Sequence, residues 1–313
     1  MTIAPTPPYD FDLTAGYATY FRGHYGAERY REGVFRRLLD CRGHLCLVNV
    51  RSLGTVDSPL LEVEIEAAGN GLDGDVVSVV EGQVAWILGT DQNLASFYRM
   101  ALNDSAVGPL VLGMRGLHVP HTASVYEALV LAILGQQISS HVARMLRTLL
   151  IQTYGPSTEM SGTRYCAFPG PEAIVAAGVE GLRKIKLSAR KAEYIADIAA
   201  RVASGELDLE GLEHQADEEV IRTLIGIRGV GLWTAQWLLI RALGRTDGFP
   251  FGDLALQRIL GILVNGGIPL SPQETLEYSR RWSPFRSYIT TYLFAAVRSG
   301  RFPSLSEAGQ VGP

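Results

Sequence analysis

The side chains best placed for chemistry in this chain of 313 residues gather around one carboxylate. Asp253 follows Pro250-Phe251-Gly252 and precedes the apolar run Leu254, Ala255, Leu256, Ile259 and Leu260. Pro250 holds the residue before it in extended backbone, so a helix is predicted to start with Asp253 as its N-cap. The dipole of that helix stabilises the negative charge. A fixed carboxylate beside a reacting centre stabilises positive charge as it builds, and orients or deprotonates a water. Taken alone, an N-cap aspartate is first of all a structural residue. Upstream, Trp233 and Trp237 put two indoles on one helix face at i, i+4 spacing. Such a pair is equally at home in a core.

The elements that must position these residues begin with a glycine-rich stretch, Leu224-Ile225-Gly226-Ile227-Arg228-Gly229-Val230-Gly231-Leu232-Trp233-Thr234-Ala235. Asp217-Glu218-Glu219 ahead of it suit a helix N-terminus, and Val220, Ile221, Leu224 and Ile225 repeat at helical spacing. The pattern predicts two helices joined by a tight hairpin. The amides of the hairpin and of the second helix's first turn lack helical partners and make an anion site. Gly229, Gly231 and the Thr234 hydroxyl are the donors it offers to a phosphate. A dinucleotide loop would need a preceding strand, and the lysine and hydroxyl of a P-loop are missing. A plain turn between packed helices fits the hairpin alone as well.

Across the rest of the chain the patterning changes once. His44 to Val50 and Leu60 to Ala67 alternate as strands do, and Val76 to Leu88 continues the β-rich character around Gly82. Leu94 to Leu102 is predicted helical. From Thr122 onward helical segments dominate, over 124–153, 171–177, 179–184, 189–204, 217–227, 232–243, 253–264, 271–281 and 284–298. The fold class read from this is α+β: an antiparallel sheet with helices over residues 1–112, then an all-α region over 113–302, made of two helical subdomains with a cleft between them. Residues 1–7 read as a loose tail, and so do 303–313.

Composition restricts the function classes. No apolar run approaches a membrane span, and the first twenty residues have no basic and apolar leader pattern. Cys41, Cys46 and Cys166 form no disulfide or zinc framework, which points to a reducing cytoplasm. The six histidines show no metal-ligand spacing, so no metal held by side chains and no cofactor is expected. A net charge of −4 argues against an extended phosphate-binding surface. The imbalance sits in the first ~120 residues, which carry roughly five excess acids, whereas the helical region is close to neutral. A grip through helix N-termini needs fewer cations, at the cost of affinity and salt tolerance.

The hairpin with Asp253 resembles the helix-hairpin-helix glycosylases, and more narrowly the bacterial DNA-3-methyladenine glycosylase II type. Other segments carry the resemblance in the same order: Pro8-Tyr9-Asp10-Phe11, Asp91-Gln92-Asn93-Leu94-Ala95-Ser96-Phe97-Tyr98, the run from Ala128 to Ser139 with Gly135-Gln136-Gln137, Leu187-Ser188-Ala189-Arg190-Lys191-Ala192-Glu193, and Trp282-Ser283-Pro284-Phe285-Arg286-Ser287-Tyr288. The resemblance implies a TBP-like N-terminal sheet domain and a base-excision enzyme that flips alkylated purines from double-stranded DNA and breaks the N-glycosidic bond. It makes Asp253 the catalytic carboxylate and gives a pocket of Trp233, Trp237 and Phe294. DNA contacts fall to Gly229, Gly231, Thr234, Arg190 and Lys191, with Gln137 filling the gap left by the flipped nucleotide. Arg286 stays open between a phosphate contact and a structural ion pair.

Members that also cut the strand carry a lysine where this chain has Trp233, so the resemblance implies a monofunctional enzyme, working as a monomer. It also raises a monovalent cation on the hairpin carbonyls around residues 225–230. The four-cysteine loop of the iron–sulfur relatives is absent. Two other readings stay open: a glycosylase for oxidised or deaminated purines on the same scaffold, and a hairpin protein that binds DNA without catalysis.

Overall fold

The computed structural model describes residues 1–41, 43–67 and 74–302; the predicted tail over 303–313 lies outside them. Six antiparallel strands form one sheet, in the spatial order Thr2–Ile3, Leu61–Ala67, His44–Ser52, Val34–Cys41, Glu28–Arg31 and His24–Tyr25. The long central pair is in register with Phe35 opposite Val50 and Leu38 opposite Leu47. One face, carrying Phe35, Leu39, Val48 and Val50, is covered by helices Phe11–Ala18 and Gly74–Ile87. Leu38 and Leu47 point the other way and pack on a small hairpin, Ser157–Met160 with Thr163–Cys166.

Two expectations for this half need correction. Residues 76–87 lie in helix Gly74–Ile87, because Val76, Val80, Val84 and Ile87 step at 3.6-residue spacing and are the side chains buried on the sheet. Their β-branched character is overridden by that face. The first residues are not loose: Thr2–Ile3 adds an edge strand to Leu61–Ala67, and the terminal amine donates to the Val63 carbonyl at 3.0 Å.

The helical region contains two cores rather than one. The first packs helices Val125–Gly135, Ser140–Tyr154, Pro171–Lys184, Ala189–Ala203, Asp217–Ile225 and Leu232–Arg241 around Leu129, Ile133, Leu150, Ile195 and Leu224. The second joins residues 94–119 to helices Leu254–Val264 and Arg286–Ser299, with Phe97, Trp282, Ile289 and Tyr292 at its centre. Trp282 Nε1 donates to Asp104 at 2.8 Å and the Tyr98 and Tyr292 hydroxyls meet at 2.9 Å. Helices Ala95–Ala101 and Gly108–Leu112 therefore belong by packing to the C-terminal core, although they lie before residue 112 in sequence. Helix Leu232–Arg241 serves both cores, Leu238 and Leu239 facing one and Ile240 the other.

A buried ion group fastens the sheet to the first core. Arg37, 2% exposed, pairs with Glu28 from the neighbouring strand and with Glu127 on helix Val125–Gly135. Burial pushes the Glu127 carboxyl above its ordinary range, against the pull of Arg37.

Candidate active site

The hairpin forms as its glycines require. Helix Asp217–Ile225 ends at Gly226, and helix Leu232–Arg241 takes Gly231 as its N-cap. Between them Gly229 adopts φ +91°, and a Cβ there would stand 2.3 Å from a ring carbon of Tyr194. Left-handed backbone and close approach both demand glycine at that position. Gly231 is exposed and a Cβ on it would meet nothing within 4 Å. The helix's first amides, without intrahelical acceptors, lie at this open end.

Asp253 is the N-cap of helix Leu254–Val264. Its Oδ1 accepts from the amides of Ala255 and Leu256 at 2.8 and 3.1 Å. Its Oδ2 accepts from Trp233 Nε1 at 2.8 Å. The Trp233 and Trp237 rings meet edge to face with centres 6.0 Å apart, and Trp237 lies 5.6 Å from Phe294 on the last helix, Arg286–Ser299. These four side chains line one cleft of about 390 Å³, whose other wall comes from Leu131, Ile138 and Arg147 of the first core. The arrangement offers flat aromatic surfaces leading to an oriented carboxylate.

Two residues named from sequence as DNA contacts turn inward, and the reading left open for Arg286 resolves to an ion pair. Thr234 is 2% exposed and its hydroxyl accepts from Gln136 Nε2 at 3.3 Å, so it holds the hairpin from inside and does not face a phosphate. Lys191 also turns inward, its ammonium donating to the carbonyls of Leu134 and Gln136 at 2.9 and 2.7 Å. It closes the C-terminal end of helix Val125–Gly135, where orphan carbonyls need donors, and burial lowers its pKa. Arg286 makes a two-pronged ion pair with Asp247, at 2.8 and 2.7 Å, and positions the helix that carries Phe294. Burial opposes the charge on Asp247, yet hydrogen bonds from Arg286 and Ser283 hold its carboxyl below the usual range. Arg190, by contrast, is exposed in the first turn of helix Ala189–Ala203.

Gln137 is exposed with φ +54°, in the turn whose neighbours Gly135 and Ile138 line the cleft. Sequence reasoning missed its neighbour: Gln136 Nε2 donates to Gly229 O at 3.0 Å and so ties this turn to the hairpin. It also missed Arg241 and Arg298, each four residues after a pocket aromatic, a spacing that was readable. For the cation raised on the hairpin carbonyls, Gly229 O already accepts from Gln136 and Ile227 O from the Val230 amide. Among the described residues no group of His, Cys, Asp or Glu could hold a metal, and no helix is long and apolar enough to cross a membrane.

Residues 130–284 match the family described as HhH-GPD superfamily base excision DNA repair protein. The chain is 36% identical over 207 residues to a DNA-3-methyladenine glycosylase of Bacillus subtilis (strain 168), covering 66% of this chain and 68% of that one. To DNA-3-methyladenine glycosylase 2 of Escherichia coli (strain K12) it is 29% identical over 193 residues, 61% of this chain and 64% of the relative. Among solved structures, the 3-methyladenine DNA glycosylase of Archaeoglobus fulgidus superposes with a TM-score of 0.83 at 29% identity, over 95% of this chain and 98% of that one. The residues matched to the family include both the hairpin and Asp253, and the chain belongs to the HhH-GPD superfamily of base excision DNA repair proteins.

Proposed function

We infer that this chain removes alkylated purines from DNA by hydrolysing the N-glycosidic bond, and that it stops at the abasic site. The observation that carries the reading is the Asp253 carboxylate, oriented by three hydrogen bonds in a cleft whose wall is Trp233, Trp237 and Phe294. A base inside a duplex is out of reach of any such group, so the nucleotide is turned out at a cost of a few kcal/mol. Stacking on the indoles repays part of that cost, by about 0.5–2 kcal/mol for a cationic ring. As the bond breaks, positive charge grows on the sugar, and Asp253 stabilises it and orients the attacking water.

The hairpin amides at Gly229 and Gly231 and the side chain of Arg190 hold the DNA backbone, with Gln137 entering the space left by the flipped nucleotide. Trp233 has no amine with which to attack the sugar, so the strand is left intact. A single copy supplies every group named, and a monomer acting on duplex DNA in the cytoplasm is the form proposed. The test is to incubate the protein with duplexes containing methylated purines, identify the released bases, and probe the product with and without alkali. Free methylpurine and strand breaks only after alkali are expected. Trapping of a protein–DNA adduct by borohydride would overturn the hydrolytic reading.

A further inference from the structure

The wall of the Asp253 cleft has a reverse side. Strands His24–Tyr25 and Glu28–Arg31 form a tight ribbon at the edge of the sheet, with Tyr25 opposite Glu28 and His24 opposite Arg29. Residues opposite each other share a face, and the next pair along takes the other face. Tyr25 and Glu28 line the cleft, whereas His24 and Arg29 line a separate cavity of about 230 Å³. Helix Ser140–Tyr154 closes that cavity with Thr148 and Gln152, and strand Thr163–Cys166 closes it with Arg164 and Tyr165.

Cations collect here without acids. Arg29 sets its guanidinium 4.6 Å from the ring centre of Tyr165 and donates through Nη2 to the Arg164 carbonyl at 3.1 Å. Arg164 donates to the Ser157 hydroxyl at 3.3 and 3.1 Å and to the Gln152 carbonyl at 3.5 Å. Those anchors are neutral, so they fix the two guanidiniums without cancelling their charge. Among the described residues, no carboxylate lines the cavity. Glu28, the ribbon's own acid, is paired with Arg37, and Glu159, opposite Arg164 in the hairpin, makes no ion pair with it. The positive field reaches His24. Burial lowers its imidazole, against a hydrogen bond to the Gly26 backbone, and Arg29, Arg31 and Arg144 lower it further. This concentration lies in the part of the chain that carries the acidic excess, so overall charge does not explain it.

The anchoring bonds leave Arg29 Nε and Nη1 and Arg164 Nη1 without acceptors among the described residues. The Thr148 hydroxyl, also without a hydrogen bond there, adds a neutral donor. Donors thus arrive from three elements: the ribbon, the helix and the small hairpin. Their complement is a compact anion with acceptor oxygens on several sides, which describes a tetrahedral phosphate better than a planar carboxylate. We propose a phosphate-binding site on the reverse of the cleft wall, in which Arg29, Arg164, His24 and Thr148 hold one phosphate group. That group comes from a DNA backbone beyond the reach of the Gly229 hairpin or from a free phosphate ester; the chemistry of recognition is the same. None of these residues is assigned to base removal, so the site stands or falls apart from the glycosylase reading.

Binding is read by melting the full chain at constant ionic strength while chloride is exchanged for inorganic phosphate or dAMP. A saturating rise in melting temperature is expected for the wild type, with affinity about tenfold weaker in Arg29→Gln and in Arg164→Gln. Arg190→Ala, at the proposed duplex face, should keep the full response. A rise of undiminished affinity in both glutamine variants, or no rise in the wild type, overturns the site. Should those variants not fold, the His24 ring resonances of the wild type decide: movement with phosphate supports the site, and stillness overturns it. Salt titrations of duplex binding then identify the source. A slope reduced by about one in Arg29→Gln assigns the phosphate to the DNA backbone. An unchanged slope, with dAMP bound, assigns it to a free ester.

Discussion

Trp233 and Asp253 are joined by a 2.8 Å hydrogen bond from the indole Nε1 to Oδ2, on the oxygen that does not cap the helix. One carboxylate thereby links the hairpin helix to helix Leu254–Val264, and neither oxygen is free to rotate. An asparagine at 253 that kept the cap would turn its amide N–H groups toward the indole N–H, placing donor against donor. We expect Asp253→Asn to slow methylpurine release by about 10²–10³-fold while the fold survives with a loss of about 1 kcal/mol. Trp233→Phe keeps a ring in the wall and removes only the donor, and should cost about tenfold in rate. Single-turnover assays with thermal melts on the same samples check both. Full-rate release by Asp253→Asn would remove the carboxylate from the chemistry.

Gly229 and Gly231 are two residues apart and should respond in opposite ways. Gly229→Ala must hold φ near +91° and move Tyr194 away from its Cβ. A cost of about 1–3 kcal/mol in stability is expected. Gly231→Ala meets open space at φ −108°, so stability should fall by about 1 kcal/mol or less. Its new methyl stands at the amides proposed to meet a phosphate. A duplex-binding titration should weaken about tenfold for Gly231→Ala; unchanged binding would place the DNA backbone elsewhere.

The hairpin and the Asp253 cap were legible because they depend on local rules: glycine at positive φ, proline before an N-cap, apolar residues at helical spacing. Helix Gly74–Ile87 was not. Its valines and isoleucine have strand character, and only the sheet beneath them shows which period is used. Thr234 and Lys191 had the right chemistry for a phosphate, but burial decides what a donor meets, and burial is a tertiary property. Arg147 reaches the cleft from a helix far in sequence from Arg241 and Arg298, so unlike those two it has no pocket aromatic at helical spacing to point to it. That helices Ala95–Ala101 and Gly108–Leu112 join the C-terminal core was hidden for the same reason: Phe97 and Tyr292 are neighbours only after folding.

Arg190 and Lys191 separate phosphate contact from structural support. Each phosphate neutralised by a side chain adds about −0.9 to the slope of log affinity against log salt. Arg190→Ala should reduce that slope by about one with no change in melting temperature. Lys191→Met should leave the slope unchanged and lower stability by about 1–3 kcal/mol, because the carbonyls of Leu134 and Gln136 lose their donor. Salt titrations of duplex binding and urea melts measure the two quantities. A reduced slope for Lys191→Met would return that residue to the DNA interface.

His121 makes stability depend on acid. It is 5% exposed, stacks on Trp86 with ring centres 4.2 Å apart, and its Nδ1 lies 2.9 Å from the Trp86 carbonyl. Burial, reinforced by Arg241, drives its pKa from 6.5 down to about 4. The folded chain thus keeps the ring neutral where the unfolded chain would protonate it. Its stabilising share is complete above about pH 6.5 and is lost as pH falls toward 4, by on the order of 3 kcal/mol. Buried His118 is lowered in the same direction, so it contributes in parallel. Urea midpoints of the wild type should fall between pH 7 and 4.5, and His121→Gln should lose part of that slope. Parallel curves for the two proteins would show that protonation of this ring is not what acid acts on.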